Sequence, residues 1–261
     1  MTSFIELHVP GDPLLIPNPW DAGSARILAY LGFRALATTS SGFAATLGRP
    51  DYSVTSVEAL RHAADIVAAT ELPVSADMQN GFADEPAAVA AFIGEAIGTG
   101  LAGCSIEDST GHADDPIYDR HLAAERIAAA AEATAGRLVL TARAENYLHG
   151  RPDLADTIAR LQAFQEAGAD VLYAPGLRTA EDIRAVVSSV DRPVNVLAMP
   201  GVPSVAELAE LGVARISVGG AFAFAALGGL VAAAEELKND GTYGYASMSA
   251  RGREVISQAF S

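Results

Sequence analysis

Short runs of apolar, often β-branched residues alternate along the chain with longer stretches in which apolar residues recur every three or four positions. The short runs predict eight strands, at Leu14–Ile16, Ala35–Thr39, Val74–Asp77, Gly103–Glu107, Leu138–Ala142, Val171–Tyr173, Val194–Leu197 and Arg215–Val218. Between them the longer period predicts helices that include Val57–Ala69, Pro86–Thr99, Ala123–Ala135, Asp153–Ala167, Ala180–Val187 and Val205–Leu211.

Local signals punctuate this alternation. Thr55-Ser56-Val57-Glu58 and Ser204-Val205-Ala206-Glu207 read as capping boxes, in which hydroxyl and carboxylate satisfy backbone N–H groups that the first helical turn leaves free. Gly32, Gly100, Gly168 and Gly212 follow helices and lead into strands, where a left-handed residue closes the last turn. Helix, glycine, short apolar strand is the rhythm of a parallel α/β fold. Eight such units favour a single closed (β/α)8 TIM barrel spanning residues 1–261, with a helical C-terminal extension from about residue 239. No Gly-rich dinucleotide fingerprint or phosphate loop interrupts the pattern.

Composition narrows the function classes. Hydrophobic residues make up 50% of the chain and aromatics 7%, so Ala, Val, Leu and Ile must build the core. Cys104 is the single cysteine, which excludes an intrachain disulfide and suits a reducing, cytoplasmic setting. Nucleic acid is not an expected partner, because a net charge of −15 repels a phosphate backbone. The first residues, Met1-Thr2-Ser3-Phe4-Ile5-Glu6, lack the basic start and apolar run of a signal peptide. Ile216–Ala234 is uncharged and about long enough to span a bilayer. Its Gly219-Gly220 and Gly228-Gly229 pairs and its alanines point instead to a buried strand and helix, so no membrane partner is expected.

In a barrel, chemistry gathers at the C-terminal ends of the strands. There the chain places Thr39-Ser40-Ser41-Gly42, Asp77-Met78-Gln79-Asn80-Gly81, Glu107-Asp108-Ser109 and Arg143-Ala144-Glu145-Asn146. Asp77 and Glu107, on neighbouring strands and without thiols or a histidine cluster, suit a hard, oxygen-seeking ion such as Mg2+; the alternative is that they cap helices. Arg143 can grip a carboxylate with a planar fork, or pair with Glu145 or Glu107. Ser41-Gly42-Phe43 offers backbone donors, or is a plain strand-to-loop turn.

Together these stretches resemble the isocitrate lyase / phosphoenolpyruvate mutase superfamily. The resemblance runs from about Pro17 to Gly220. It rests on Asn18-Pro19-Trp20-Asp21-Ala22-Gly23-Ser24-Ala25-Arg26, Thr39-Ser40-Ser41-Gly42, Pro73-Val74-Ser75-Ala76-Asp77, Ile106-Glu107-Asp108-Ser109, Ala142-Arg143-Ala144-Glu145 and Pro193-Val194-Asn195-Val196, in that order. It implies Mg2+, with Mn2+ as the alternative ion, held chiefly by Asp77, with Glu107 on the metal's waters and Gln79 at the position of a second carboxylate. It implies a small 2-oxo or 2-hydroxy carboxylate bound by Ser41, Gly42, Phe43, Arg143 and Asn195, with Asp51 supporting the site. It also implies exchange of the eighth helix between subunits, in a homodimer or homotetramer.

The chain departs from the family's pattern at three places. The loop after strand four reads Thr110-Gly111-His112-Ala113-Asp114-Asp115-Pro116, without the lyases' cysteine or the mutases' lysine and asparagine. His112 offers a replacement acid, or is a solvated loop residue. Thr39 replaces an aromatic residue, and Gln79 replaces a carboxylate. A Mg2+-dependent C–C bond lyase leads. P–C bond chemistry and a non-catalytic 2-oxo acid-binding barrel are the alternatives.

Overall fold

A computed structural model describes residues 3–261; Met1 and Thr2, part of the stretch read for a signal peptide, lie outside the described residues. A 3-10 turn at Ile5–Leu7 precedes β1 (Leu14–Ile16), α1 (Ala22–Tyr30), β2 (Leu36–Ala37), α2 (Ser40–Thr46) and α3 (Ser56–Ala68). Then come β3 (Val74–Asp77), α4 (Pro86–Ile97), β4 (Gly103–Glu107), α5 (Arg120–Thr134), β5 (Val139–Arg143) and α6 (Leu154–Glu166). The chain continues with β6 (Val171–Tyr173), α7 (Ala180–Ser189), β7 (Val194–Leu197), α8 (Val205–Glu210), β8 (Arg215–Ser217), α9 (Ala221–Asn239) and α10 (Ala246–Ala259).

All eight strands are parallel, in the order β1-β8-β7-β6-β5-β4-β3-β2. Ala37 N donates to Pro17 O at 3.0 Å and Asn18 Nδ2 to Thr38 O at 2.9 Å, which draws β2 back towards β1 and brings the barrel near closure. This is the (β/α)8 TIM barrel that the alternation predicts. Gly32, Gly100, Gly168 and Gly212 all have φ between 83° and 104°, the left-handed caps expected of them. Both capping boxes form, Thr55 with Glu58 and Ser204 with Glu207.

The core has two parts. Outward-facing strand residues such as Ala76, Ile106, Leu140, Leu172 and Ile216 meet the inner faces of the helices, where Ala63, Ala96 and Ala130 let backbones approach closely. A smaller cluster, Phe4, Leu14, Ile16, Ala35 and Ala37, fills the N-terminal end of the barrel. Gly103 makes room for it: a Cβ there would lie 2.8 Å from both Phe4 Cε1 and Val139 O. Above this plug the inward-facing residues are polar. Ser75, Ser105, Thr141, Asn195, Arg215 and Ser217 are all buried where a barrel interior ordinarily carries Val, Ile and Leu.

Several boundaries differ from the sequence expectation. Thr38 and Thr39 leave the ladder, and Thr39 Oγ1 caps α2 by accepting from Gly42 N at 3.3 Å, so the expected turn is a helix. Asp119 starts α5 three residues early by accepting from His121 N at 2.8 Å. Arg143 lies inside β5, opposite Glu107, rather than beyond its end. Among the described residues no helix is long and apolar enough to cross a membrane. In α9 only Ala223 is buried, while Phe222, Phe224, Leu227, Leu230 and Val231 are exposed. The C-terminal extension forms α10, which packs against α1.

Candidate active site

The C-terminal mouth of the barrel opens into a cavity of about 200 Å³. Asn18, Ser41, Asp51, Asp77, Arg143, Tyr173, Arg215 and Ser217 line it. Asp77 and Arg143 are the last residues of β3 and β5, and both strands present alternate residues to the interior.

Arg143 organises the wall. Its Nε donates to Glu145 Oε1 at 2.8 Å, Nη1 to Asp77 Oδ1 at 3.0 Å, and Nη2 pairs with Glu107 Oε2 at 3.0 Å. The Tyr173 ring centroid lies 5.3 Å from its guanidinium carbon. Burial opposes the Arg143 charge, but Glu145, Glu107 and Asp77 outweigh it and hold the group firmly protonated. Glu107, which is 2% exposed, has its pKa raised, first by burial and then by Glu145 and Asp77, with Arg143 pulling the other way. The Tyr52 hydroxyl donates to its Oε1, so a tyrosine from the loop after α2 closes the back of the cluster. Asp77 spends its second oxygen on Ser40 N at 3.1 Å.

A second layer of buried cations steadies these loops. Arg160 on α6 pairs with Asp108 at 3.0 Å, and Asp108 accepts from Glu145 N at 2.8 Å, fixing the carboxylate beside Arg143. Burial raises the Asp108 pKa to about 6 despite the Glu145 amide and Arg160. Arg126 on α5 lies 4.0 Å from the Tyr118 ring centroid and donates to Glu107 O at 3.3 Å and Ala83 O at 2.7 Å, tying the β3 and β4 ends together.

Of the residues expected at the site, Ser41, Asp51, Asp77 and Arg143 line the cavity, and Glu107 stands directly behind Arg143. Partial withdrawal from water, and then the Asp77 charge, raise the Asp51 pKa. Asp77 and Glu107 cap no helix; Glu85 and Asp119 occupy those positions. The others sit apart. Gln79, at φ 47°, lines a smaller cavity with Phe43 and His62, and its Nε2 is buried without a partner. Phe43 stacks on His62 with centroids 3.9 Å apart. A Cβ on Gly42 would lie 3.2 Å from both Trp20 and Ala223, so this glycine serves packing, and the Gly42 and Phe43 amides bond to Thr39. Asn195 lies beneath the cavity, donating to Ser217 Oγ at 3.0 Å. His112 is exposed on its loop and does not line the cavity. Cys104 faces away from the barrel interior, and burial pushes its thiol up to about 12. Tyr52 and Arg215 are the site residues that no local motif signalled.

Three carboxylates face one guanidinium at this wall, with Asp51 nearby. That excess of negative charge suits a divalent cation, and the all-oxygen donor set suits Mg2+ rather than a softer ion. Among the described residues no three His, Cys, Asp or Glu side chains converge as a ready-made cage. An ion here would therefore keep much of its water, as Mg2+ commonly does.

Residues 4–238 match the family model described as phosphoenolpyruvate phosphomutase. Two crystal structures from Burkholderia cenocepacia J2315 are similar to the chain. One, of a candidate lyase/mutase, is 54% identical with a TM-score of 0.93, over 97% of this chain and 92% of that one. The other, of a candidate phosphonomutase, is 39% identical with a TM-score of 0.84, over 92% and 97%. The 2-methylisocitrate lyase of Halalkalibacterium halodurans is 32% identical over 187 residues, which are 69% of this chain and 61% of that enzyme. With the barrel and its acidic mouth in place, these matches identify the chain as an enzyme that belongs to the phosphoenolpyruvate phosphomutase family, in the isocitrate lyase / phosphoenolpyruvate mutase superfamily.

Proposed function

We propose that the protein is a Mg2+-dependent lyase that cleaves a C–C bond in a small 2-hydroxy or 2-oxo di- or tricarboxylate. The observation that carries this reading is the Arg143 cluster, one guanidinium held among Asp77, Glu107 and Glu145 at the wall of the mouth cavity. Asp77 would hold the ion, partly through water, with Glu107 ordering its waters. When bound, Mg2+ supplies Lewis-acid stabilisation of the oxygen on which enolate charge develops. Arg143 binds and orients the substrate carboxylate, exchanging part of its contact with Asp77 for the ligand. Ser41 and Tyr173 offer hydroxyls to the same cavity, and Asp51 and Tyr52 hold the wall in position. A cytoplasmic setting fits the lone buried thiol.

The loop Thr110–Pro116 lacks the lysine and asparagine that the resemblance associates with P–C chemistry, which counts against that alternative. It lacks the lyases' cysteine too, so the C–C reading rests on the Arg143 cluster and not on this loop. Incubation of the protein with Mg2+ and a panel of small carboxylates and phosphonates tests it. Release of pyruvate or glyoxylate, abolished by EDTA, is the expected result. Phosphonate consumption, or saturable binding without turnover, would overturn it.

Exchange of α9 between barrels in a homodimer or homotetramer belongs to the same reading. Leu230 and Val231 are 65% and 54% exposed on a helix that buries one residue of nineteen, and a partner subunit would cover this stripe. Light scattering at micromolar concentration should give at least twice the 26.9 kDa chain mass, and Leu230→Glu should lower it. A monomer mass for the unmodified protein would contradict the exchange.

A further inference from the structure

At the floor of the mouth cavity lies a cation that the proposed chemistry does not use. Arg215, the first residue of β8, points into the barrel and lines the cavity. It is 4% exposed, and among the described residues it makes no ion pair. Its Nη1 donates to Thr141 Oγ1 at 3.1 Å, and its Nε is buried without a partner. An isolated buried guanidinium is costly, and buried charges are ordinarily paired. Burial, with the Arg143 charge above it, draws its pKa down to about 10, against an opposing influence of Tyr173, yet it is still protonated at neutral pH. His8, which feels the Arg215 charge, is held near 4 chiefly by burial and then by Arg215 itself, so it stays neutral.

The surroundings are those of an anion site. Ser75, Ser105 and Ser217 also line the cavity, and Asn195 lies beside them on β7, hydrogen-bonded to Ser217 Oγ. Such a layer of hydroxyls in a barrel interior forgoes hydrocarbon packing. The cavity reaches continuously from Arg143 and Asp77 at the rim down to Arg215 and Ser217.

We infer that Arg215, with Ser217 and the neighbouring serines, binds a second carboxylate of the substrate at the cavity floor, so that the enzyme selects dicarboxylates over monocarboxylates. This rests on the reading of Arg143 as the clamp for the first carboxylate. A carboxylate can meet the guanidinium fork with two parallel hydrogen bonds, and the proposed substrate supplies one.

Calorimetric titration in Mg2+ with lactate, malate, 2-hydroxyglutarate and oxalate tests the inference on the intact protein. Lactate shares the 2-hydroxy acid head of malate and 2-hydroxyglutarate but lacks the distal carboxylate. At least one of the two dicarboxylates should bind about 30-fold or more tighter than lactate, as a desolvated charge pair implies. In Arg215→Met that advantage should fall to within about threefold, because the charge-assisted pair is gone. The ligand-free melting temperature of Arg215→Met should not fall, since an unpaired buried charge has been removed. Should that variant fail to fold, Arg215→Gln, which can keep the bond to Thr141, gives the same ratio. No dicarboxylate preference in the unmodified protein, or a preference that survives in both variants, would overturn the inference. Oxalate binding indifferent to Mg2+ would count against the metal reading instead, and leave the dicarboxylate-to-lactate ratio as an independent result.

Discussion

Arg143→Lys is expected to lose both stability and ligand affinity. The guanidinium pairs with three carboxylates at 2.8–3.0 Å, and the side chains of two of them, Glu107 and Glu145, are 3% and 2% exposed. Removing one partner of a buried ion pair typically costs about 3–5 kcal/mol, because it leaves an uncompensated charge. Lysine restores the charge at one point but not the three-way fork, so about half of that loss should persist. Affinity for oxalate in Mg2+ should fall on the order of 100-fold, the cost of losing a desolvated bidentate contact. Mg2+ should raise the melting temperature of Arg143→Met more than that of the unmodified protein, because the cation takes over part of the neutralisation. A large drop in melting temperature with unaltered oxalate affinity would refute the clamp role and leave Arg143 as scaffold alone.

The second large effect concerns Asp77. Its side chain is 18% exposed at the cavity wall, and Arg143 keeps Glu107 and Glu145 when Asp77 is removed. Asp77→Ala should therefore lower stability by only about 1–2 kcal/mol, the cost of one partly exposed contact plus the freed Ser40 amide. Metal-dependent oxalate binding should weaken by about 100-fold or more, since even outer-sphere partners of an ion are worth 10- to 100-fold. Titration of oxalate with and without Mg2+ separates the two quantities. Oxalate binding in Asp77→Ala that still responds fully to Mg2+ would remove Asp77 from the metal site.

The barrel was legible because its signals are local. A capping box or a left-handed glycine is decided by three or four neighbouring residues, and Gly100 or Gly212 announces a helix end whatever surrounds it. The rim carboxylates were legible for a similar reason: position at a strand's end follows from the strand itself. What escaped were contacts set by distance along the chain. Tyr52 meets Glu107 across fifty-five residues, from the loop between α2 and α3. The α2 helix was hidden because Thr39-Ser40-Ser41-Gly42 carries loop-forming residues, and only the Thr39 side chain on the Gly42 amide shows that they begin a helix. Arg215 left a faint trace. In Arg215-Ile216-Ser217, as in Ser75-Ala76-Asp77 and Ser105-Ile106-Glu107, polar residues flank an apolar one, and strand alternation then turns the polar pair inward. In a barrel covered outside by helices, a polar inner face points to a ligand rather than to solvent.

In the proposed reaction the enzyme breaks a C–C bond and leaves an enolate, which solvent then protonates. The most direct measurement is turnover of 2-hydroxy and 2-oxo di- and tricarboxylates with Mg2+ in deuterium oxide, followed by mass spectrometry and proton NMR of both products. One solvent deuterium is expected on the fragment that leaves as the enolate, which is the 2-oxo acid from a 2-oxo substrate and the partner carboxylate from a 2-hydroxy substrate, formed only with Mg2+ and lost in Asp77→Ala. Turnover of a phosphonate while every carboxylate is left intact, or carboxylate cleavage that proceeds unchanged in EDTA, would contradict it.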